Sequence, residues 1–413
     1  MYNQKQKSTK GEQVKNAIIL FKDCQEEFDE SYHKSIQKVF YDAILPLNTV
    51  QILSYDDDIA FTRSVRELKD TADNLIIVYS EKVTFDIKNV IAELFDTTLL
   101  ENENAEKFLS AVSIKTGINY SFDNAVLPIN STLIPNIQGA FQGFMIDEEG
   151  FTLSVLPANI DEYFIMCTKY VIPYIENKYN IKNKKLTLKY IGDKIKLDQT
   201  LKSAEDNFGN FNYSIAERFG DYTINLLFTK ENIDKSSNVV RHIVALLKDD
   251  IYAEFETTLS ERLFDLLKLK NVKLSVAESF TGGRIASDLV SNSGISSYFL
   301  EGVVSYSNQS KMDRLGVKSD DLTRNGAVSS VVAYQMVAGL LRNPQCDLAI
   351  ATTGIAGPSS DNTSKPVGLC YIAIGQRDGV HTYKYNLKGT REQITETAKN
   401  IALGLAIKIL KKK

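Results

Sequence analysis

Short apolar runs, separated by stretches of helical spacing, recur from the start of this chain: Ala17-Ile18-Ile19-Leu20-Phe21, Val50-Gln51-Ile52-Leu53 and Leu75-Ile76-Ile77-Val78-Tyr79. Strand-length runs alternating with helices are the pattern of a parallel sheet with crossover helices. Ser64 to Asp70 and Phe85 to Phe95 supply those helices, with charged residues interrupting apolar ones at helical spacing. The chain is therefore expected to be α/β, and its 413 residues to form two or three domains.

The first domain closes near Tyr179, where a lysine-rich step at 182–185 gives way to Leu186 to Ile191, alternating as a half-buried strand does. Next comes a hairpin pattern, Tyr213 to Arg218 and Tyr222 to Phe228 around Phe219-Gly220-Asp221, then a helix over Ser236 to Leu247. From Ile251 the spacing predicts a long amphipathic helix through Leu267, then a strand over Lys273 to Val276.

Composition narrows the partners. A net charge of -4 and a pI near 5.7 argue against a protein built to neutralise a nucleic-acid backbone, so no nucleic-acid partner is expected. Four scattered cysteines, Cys24, Cys167, Cys346 and Cys370, form neither a disulfide scaffold nor a zinc motif, which fits a reducing cytoplasm. No apolar run reaches the roughly 18 to 20 residues that span a bilayer, so no membrane partner is expected. The polar start reads as a disordered arm.

The chemistry concentrates in the last third. Ala277-Glu278-Ser279-Phe280-Thr281-Gly282-Gly283 lies between a strand and the helix Arg284 to Ser291, and Tyr306-Ser307-Asn308-Gln309-Ser310-Lys311 follows downstream. A serine needs a base to become a nucleophile, and this region offers almost no histidine, which leaves a lysine. Gly282 and Gly283 permit a tight turn, and free N–H groups at the helix start would attract an anion. After Asp347 to Ala351 comes a second glycine-rich junction, Thr352-Thr353-Gly354-Ile355-Ala356-Gly357-Pro358, and two such junctions beside parallel strands imply one shared crevice.

From Leu259 to Leu410 these residues resemble the carboxy-terminal domain of the CinA family of competence/damage-inducible proteins, whose members include nicotinamide mononucleotide deamidases. The resemblance rests on the serine segment, Tyr298-Phe299, Gly302 to Asn308, Lys311, Leu315-Gly316-Val317, Gly326 to Ser329, Thr353 to Pro358 and Lys365-Pro366-Val367-Gly368, in that order. Phe280 departs from the pattern, which more often has cysteine there. The resemblance implies hydrolysis of a pyridine carboxamide, converting nicotinamide mononucleotide to nicotinate mononucleotide and ammonia, with no cofactor and no metal. It implies Ser279 as nucleophile, Lys311 as base, and the Tyr306 hydroxyl as a group positioning the pair or relaying a proton. It also implies Arg391 as the phosphate anchor and Thr353 as a binding position. Backbone N–H groups near Gly282, Gly283 or Gly354 are candidate oxyanion donors, with the choice between them open. A base working near neutral pH requires the lysine pKa to fall from about 10.4 by roughly 3 units, which desolvation can supply.

Each residue has a blander role. A lysine is usually exposed, glycine pairs at such turns are commonly structural, and His242 and His381 lack metal-ligand companions. Arg391 begins a helix, where a cation conflicts with the dipole unless an anion is near.

The amino-terminal region resembles an eroded copy of the family's molybdopterin-binding-like domain. The traces are Ala125-Val126-Leu127-Pro128, Pro135-Asn136, Gly139-Ala140, Gly143-Phe144 and Leu156-Pro157. In place of a Thr-Gly-Gly phosphate loop stands Tyr79-Ser80-Glu81-Lys82-Val83-Thr84, and only Asp23, Glu26 and Glu27 offer carboxylates near the first strand. The pyrophosphatase activity of some family members is therefore expected to be lost here, with the fold kept for dimer contacts. The middle region resembles the family's KH-like connector without a Gly-x-x-Gly clamp, and reads as a spacer. The expected organisation is an arm over 1–16, the degenerate domain over 17–179, the connector over 180–250 and the amidase domain over 251–413, in a cytoplasmic homodimer. The competing reading is a non-enzymatic partner protein in DNA uptake or recombination.

Overall fold

In the computed structural model, which describes residues 14–22, 29–360 and 364–412, strand β1 (Asn16–Lys22) is buried on both faces over Asn16 to Phe21. Residues 1–13 of the expected arm lie outside the described residues, and Asn16 belongs to β1 rather than to an arm. The described residues divide into two compact units, one of those within 14–185 with 227–233, the other of 186–226 and those within 234–412.

The first unit continues through α1 (Glu30–Asp42), β2 (Leu47–Ser54), α2 (Asp58–Thr71), β3 (Asn74–Tyr79), α3 (Ile87–Leu94), β4 (Leu99–Glu101) and α4 (Glu103–Thr116). It ends with β5 (Val126–Pro128), β6 (Ser131–Ile134), β7 (Gly143–Glu148), β8 (Phe151–Pro157), α5 (Ile160–Met166) and α6 (Ile172–Lys178). Six strands form a sheet in the order β2-β1-β3-β8-β7-β6. β2, β1 and β3 are parallel, as the apolar runs predict, and β8 lies parallel beside β3. β7 pairs antiparallel with β8, because the two residues between them allow a hairpin and not a crossover, and β6 pairs antiparallel with β7. Ala17, Ile19 and Phe21 face Phe61 and Ile91, while Ile18 and Leu20 face Ile36 and Phe40 on the other side.

The connector comprises β9 (Lys184–Ile191), α7 (Lys194–Phe208), β10 (Asn212–Arg218), β11 (Asp221–Phe228), α8 (Ser236–Leu247) and β12 (Ile251–Ala253), its sheet ordered β10-β11-β9-β12. Phe219 and Gly220 both have positive φ, as a two-residue hairpin turn requires. The helix predicted from Ile251 begins later: Ile251 to Ala253 pair with β9, and α9 (Leu259–Lys270) starts at a capping box of Thr258 and Glu261.

The remaining elements are β13 (Leu274–Glu278), α10 (Arg284–Val290), β14 (Phe299–Val304), α11 (Asn308–Leu315), α12 (Ser319–Asn325), α13 (Ser330–Leu340), β15 (Leu348–Gly354), β16 (Leu369–Gln376), β17 (Gly379–Asn386) and α14 (Arg391–Lys411). Their sheet runs β14-β13-β15-β16-β17, with β14, β13 and β15 parallel and the last two strands antiparallel. Leu274, Val276, Leu348 and Ile350 point into a core with α9 and α14. Ala277, Ala349, Ala351 and Ala373 point the other way, and their small side chains admit Val332, Met336 and Val337 of α13.

The connector packs on this domain. Asn400 of α14 donates to the carbonyls of Arg218 (3.2 Å) and Phe219 (3.1 Å). Lys408 pairs with Asp250, Lys411 donates to Ile251 O at 2.7 Å, and Ile191 enters the α9–α14 core. Among the described residues no helix is long and apolar enough to cross a membrane.

Candidate active site

The adjacent parallel strands β13 and β15 end side by side, so the loops after Glu278 and Thr352 meet. Ser279 N donates to Thr352 O at 3.0 Å, and the Thr281 and Thr352 hydroxyls lie 2.7 Å apart. Gly282 and Gly283 follow with φ of 62° and 94°, a left-handed pair that few other residues tolerate, and the chain turns back into α10. Ser279 is thereby held on a sharp strand-to-helix elbow.

Lys311 reaches this serine from α11, one strand away. Its Nζ lies 3.1 Å from Ser279 Oγ, 2.8 Å from Ser305 O and 3.1 Å from Tyr306 O. The side chain is 1% exposed and among the described residues no carboxylate offsets its charge, so burial pushes the amine down to about 8. The two carbonyls match the two N–H bonds of a neutral amine, whose lone pair then faces the serine hydroxyl. The pair therefore has the geometry and the proton affinity for general-base activation of Ser279.

Tyr306 is placed differently from the expectation. Its carbonyl, not its hydroxyl, holds Lys311, and the hydroxyl accepts a 3.2 Å bond from Arg391 Nη2. Arg391 also donates to Gly357 O at 2.6 Å, and among the described residues no carboxylate pairs with it. A guanidinium aimed by a carbonyl and a phenol keeps donors available for an anion.

Thr353 and Gly354 have internal roles. Thr353 is 1% exposed and its hydroxyl donates to Ala327 O at 2.8 Å, tying β15 to the loop before α13. Lys365 secures that loop through Asn325 O and Val328 O, both at 2.7 Å. At Gly354 a Cβ would stand 2.5 Å from Cys370 Cβ and 3.0 Å from the Phe280 ring, so this glycine makes room for a side chain. Gly282 N donates to Ser279 O, and Gly283 N is taken by the carboxylate of Glu278. The helix start predicted to attract an outside anion already holds one from its own chain.

Three contributors escaped sequence reasoning: Glu278, the carbonyl of Ser305 and that of Gly357. Only Glu278 left a signal, as an acid between an apolar strand and a serine followed by two glycines.

In the first unit a cavity of about 280 Å³ opens at the ends of β1 and β3, lined by Lys22, Asp29, Tyr32, His33, Tyr55 and Ser80. Asp29 is committed to capping α1 through Ser31 N and Tyr32 N. Asp23, Glu26 and Glu27 lie outside the described residues, and among those described no three His, Cys, Asp or Glu side chains form a metal-binding group. Glu162 accepts from Asn136 in the loop that carries Gly139. Its carboxyl is raised by burial and by the nearby charges of Glu81 and Asp161.

The CinA C-terminal domain model matches residues 256–410, the span that carries Ser279, Lys311 and Arg391. A putative competence-damage inducible protein of Clostridium kluyveri is 35% identical over 328 residues, covering 76% of this chain and 79% of that protein. One of the same name from Caldicellulosiruptor saccharolyticus is 31% identical, covering 78% and 80%. Among solved structures, the competence/damage inducible protein CihA of Agrobacterium tumefaciens is 34% identical, covering 38% of this chain and 99% of that one, with a TM-score of 0.36. A CinA superfamily protein of Klebsiella pneumoniae is 28% identical, covering 38% and 97%, with a TM-score of 0.37. On the extent of identity with the competence-damage inducible proteins, the chain belongs to the CinA family.

Proposed function

We propose that the protein is a serine amidase that hydrolyses the carboxamide of nicotinamide mononucleotide to the carboxylate, releasing ammonia. The observation that carries this reading is the desolvated Lys311 amine 3.1 Å from Ser279 Oγ, with no carboxylate among the described residues to keep it charged. Ser279 Oγ attacks the amide carbon while its proton passes to Lys311 Nζ. The protonated lysine returns that proton to the departing nitrogen, ammonia leaves, and an acyl-serine ester remains. Water, giving a proton to the same amine, then cleaves the ester and regenerates the serine. Arg391 receives the substrate phosphate, with the Tyr306 hydroxyl and Gly357 carbonyl holding the guanidinium in place.

The relatives' names concern competence and damage, and a non-enzymatic partner role in DNA uptake is the competing reading. A scaffold has no physical need for a buried, unpaired lysine beside a serine, because burying that charge costs stability. The first unit is read as having lost pyrophosphate chemistry, which the Glu81 and Glu162 carboxylates around the Gly139 loop support, since they repel a polyanion. Ammonia release from nicotinamide mononucleotide by the purified full chain, compared with Ser279→Ala and Lys311→Ala, tests the proposal. Equal inertness of all three proteins would refute the enzyme.

A further inference from the structure

Glu278 immediately precedes the proposed nucleophile, is fully buried, and pairs with no cation among the described residues. Its Oε2 accepts from Gly283 N (3.0 Å) and Ile285 N (3.2 Å), and its Oε1 from Ala286 N (2.9 Å). Its main-chain carbonyl accepts from Ser305 N at 2.8 Å, and Ser305 O in turn holds Lys311 Nζ. One residue thus braces both halves of the pair: the side chain closes the elbow that carries Ser279, and the main chain places a carbonyl against the lysine.

The same bonds sort the amides of the elbow. Ser279 N is used by Thr352 O, Gly282 N by Ser279 O, Gly283 N by Glu278 and Arg284 N by Thr281 O. Among the described residues only Phe280 N and Thr281 N in this turn have no acceptor. An amide left unpaired beside a nucleophile is what an acyl-transfer site needs for the oxyanion that forms as the carbonyl is attacked.

We infer that the N–H of Phe280, rather than that of the fully buried Thr281, is the oxyanion donor, and that Glu278 is the positioning residue that keeps it unpaired next to Ser279. This rests on the amidase reading for its substrate, but not for its test. Replacing Glu278 with glutamine swaps one acceptor oxygen for an NH₂ group that opposes an amide N–H, so the elbow relaxes while side-chain volume is kept.

The experiment compares wild type, Glu278→Gln and Glu278→Asp in two assays: ammonia release from nicotinamide mononucleotide, and the rate of Ser279 labelling by a fluorophosphonate. The probe's phosphoryl oxygen needs the same donor but no pyridine recognition. Expected for Glu278→Gln is a loss of about 10²-fold in kcat and in labelling rate, with KM within about twofold and the pH midpoint unmoved. Glu278→Asp should fall between, because a shorter carboxylate keeps the charge without reaching all three amides. Wild-type rates in the glutamine variant would overturn the inference, as would a shift of KM and pH midpoint together. If the glutamine variant does not melt cooperatively, the aspartate variant carries the comparison; failure of both to fold would mark a structural anchor alone and overturn it. A wild type that labels at Ser279 yet releases no ammonia refutes the amidase reading, and the labelling rates still decide the role of Glu278.

Discussion

Lys311 Nζ stands 3.1 Å from Ser279 Oγ, and its other two hydrogen-bond partners are main-chain carbonyls rather than acids. The amine is therefore set by desolvation, near pH 8. Amidase kcat/KM is expected to rise about tenfold per pH unit below that value and to level above it, as the lysine loses its proton. Ser279→Ala and Lys311→Ala should each lower kcat by about 10³-fold or more at the plateau, and the pH–rate profile with both variants checks this.

The same burial sets stability against function. Between about pH 8 and the ordinary lysine value the unfolded chain holds a proton at Lys311 that the folded chain does not, so this residue makes stability increase with pH across that window. Below it both states are protonated and the full cost of a buried cation remains, about 3 kcal/mol. Lys311→Met should raise the Tm at pH 7, with the advantage shrinking toward pH 10, as measured by calorimetry at several pH values.

Arg391→Ala should raise KM for nicotinamide mononucleotide by about 10- to 100-fold with a smaller change in kcat, since a charged hydrogen bond of 1.5–3 kcal/mol is lost. Nicotinamide riboside, which lacks the phosphate, should show little difference between the two proteins. Arg391→Lys is expected to rescue poorly, because one ammonium cannot satisfy Gly357 O and Tyr306 and still present a fork.

Gly354→Ala should destabilise the fold by about 1–3 kcal/mol through overpacking against Cys370 and Phe280. Chemical denaturation measures it. An activity loss with unchanged stability would instead place this glycine against the substrate.

For the first unit, the full-length Ser279→Ala protein with ADP-ribose and a divalent cation should release no AMP. The Ser279→Ala background removes any contribution of the Ser279 site, so AMP in a chromatographic assay would assign pyrophosphatase chemistry to the first unit after all.

Elements whose burial follows from local pattern were readable in the sequence. The run at 236–247 delimits α8 to the residue, and Phe219-Gly220 marks its hairpin, because both depend on neighbours in the chain. Ile251 to Ala253 were misassigned because a three-residue apolar run is compatible with either a strand or the first turn of a helix, and only pairing with β9 decides. In the site, residue types were readable and atoms were not. The five-residue offset of Tyr306 from Lys311 brings them together, yet the contact uses the tyrosine carbonyl, which no side-chain pattern encodes. Glu278 went unassigned because its partners are three backbone amides that exist only once the elbow is turned.

Helix α14 opens with Arg391 and from its middle to its end is fastened to the connector through Asn400, Lys408 and Lys411. At about 1.5 Å per residue its 21 residues form a rod roughly 30 Å long. Arg391 is thus the tip of a lever whose handle lies in another domain. A load on the connector, from a partner or a crosslink, would be transmitted along that rod as a displacement of the Arg391 end.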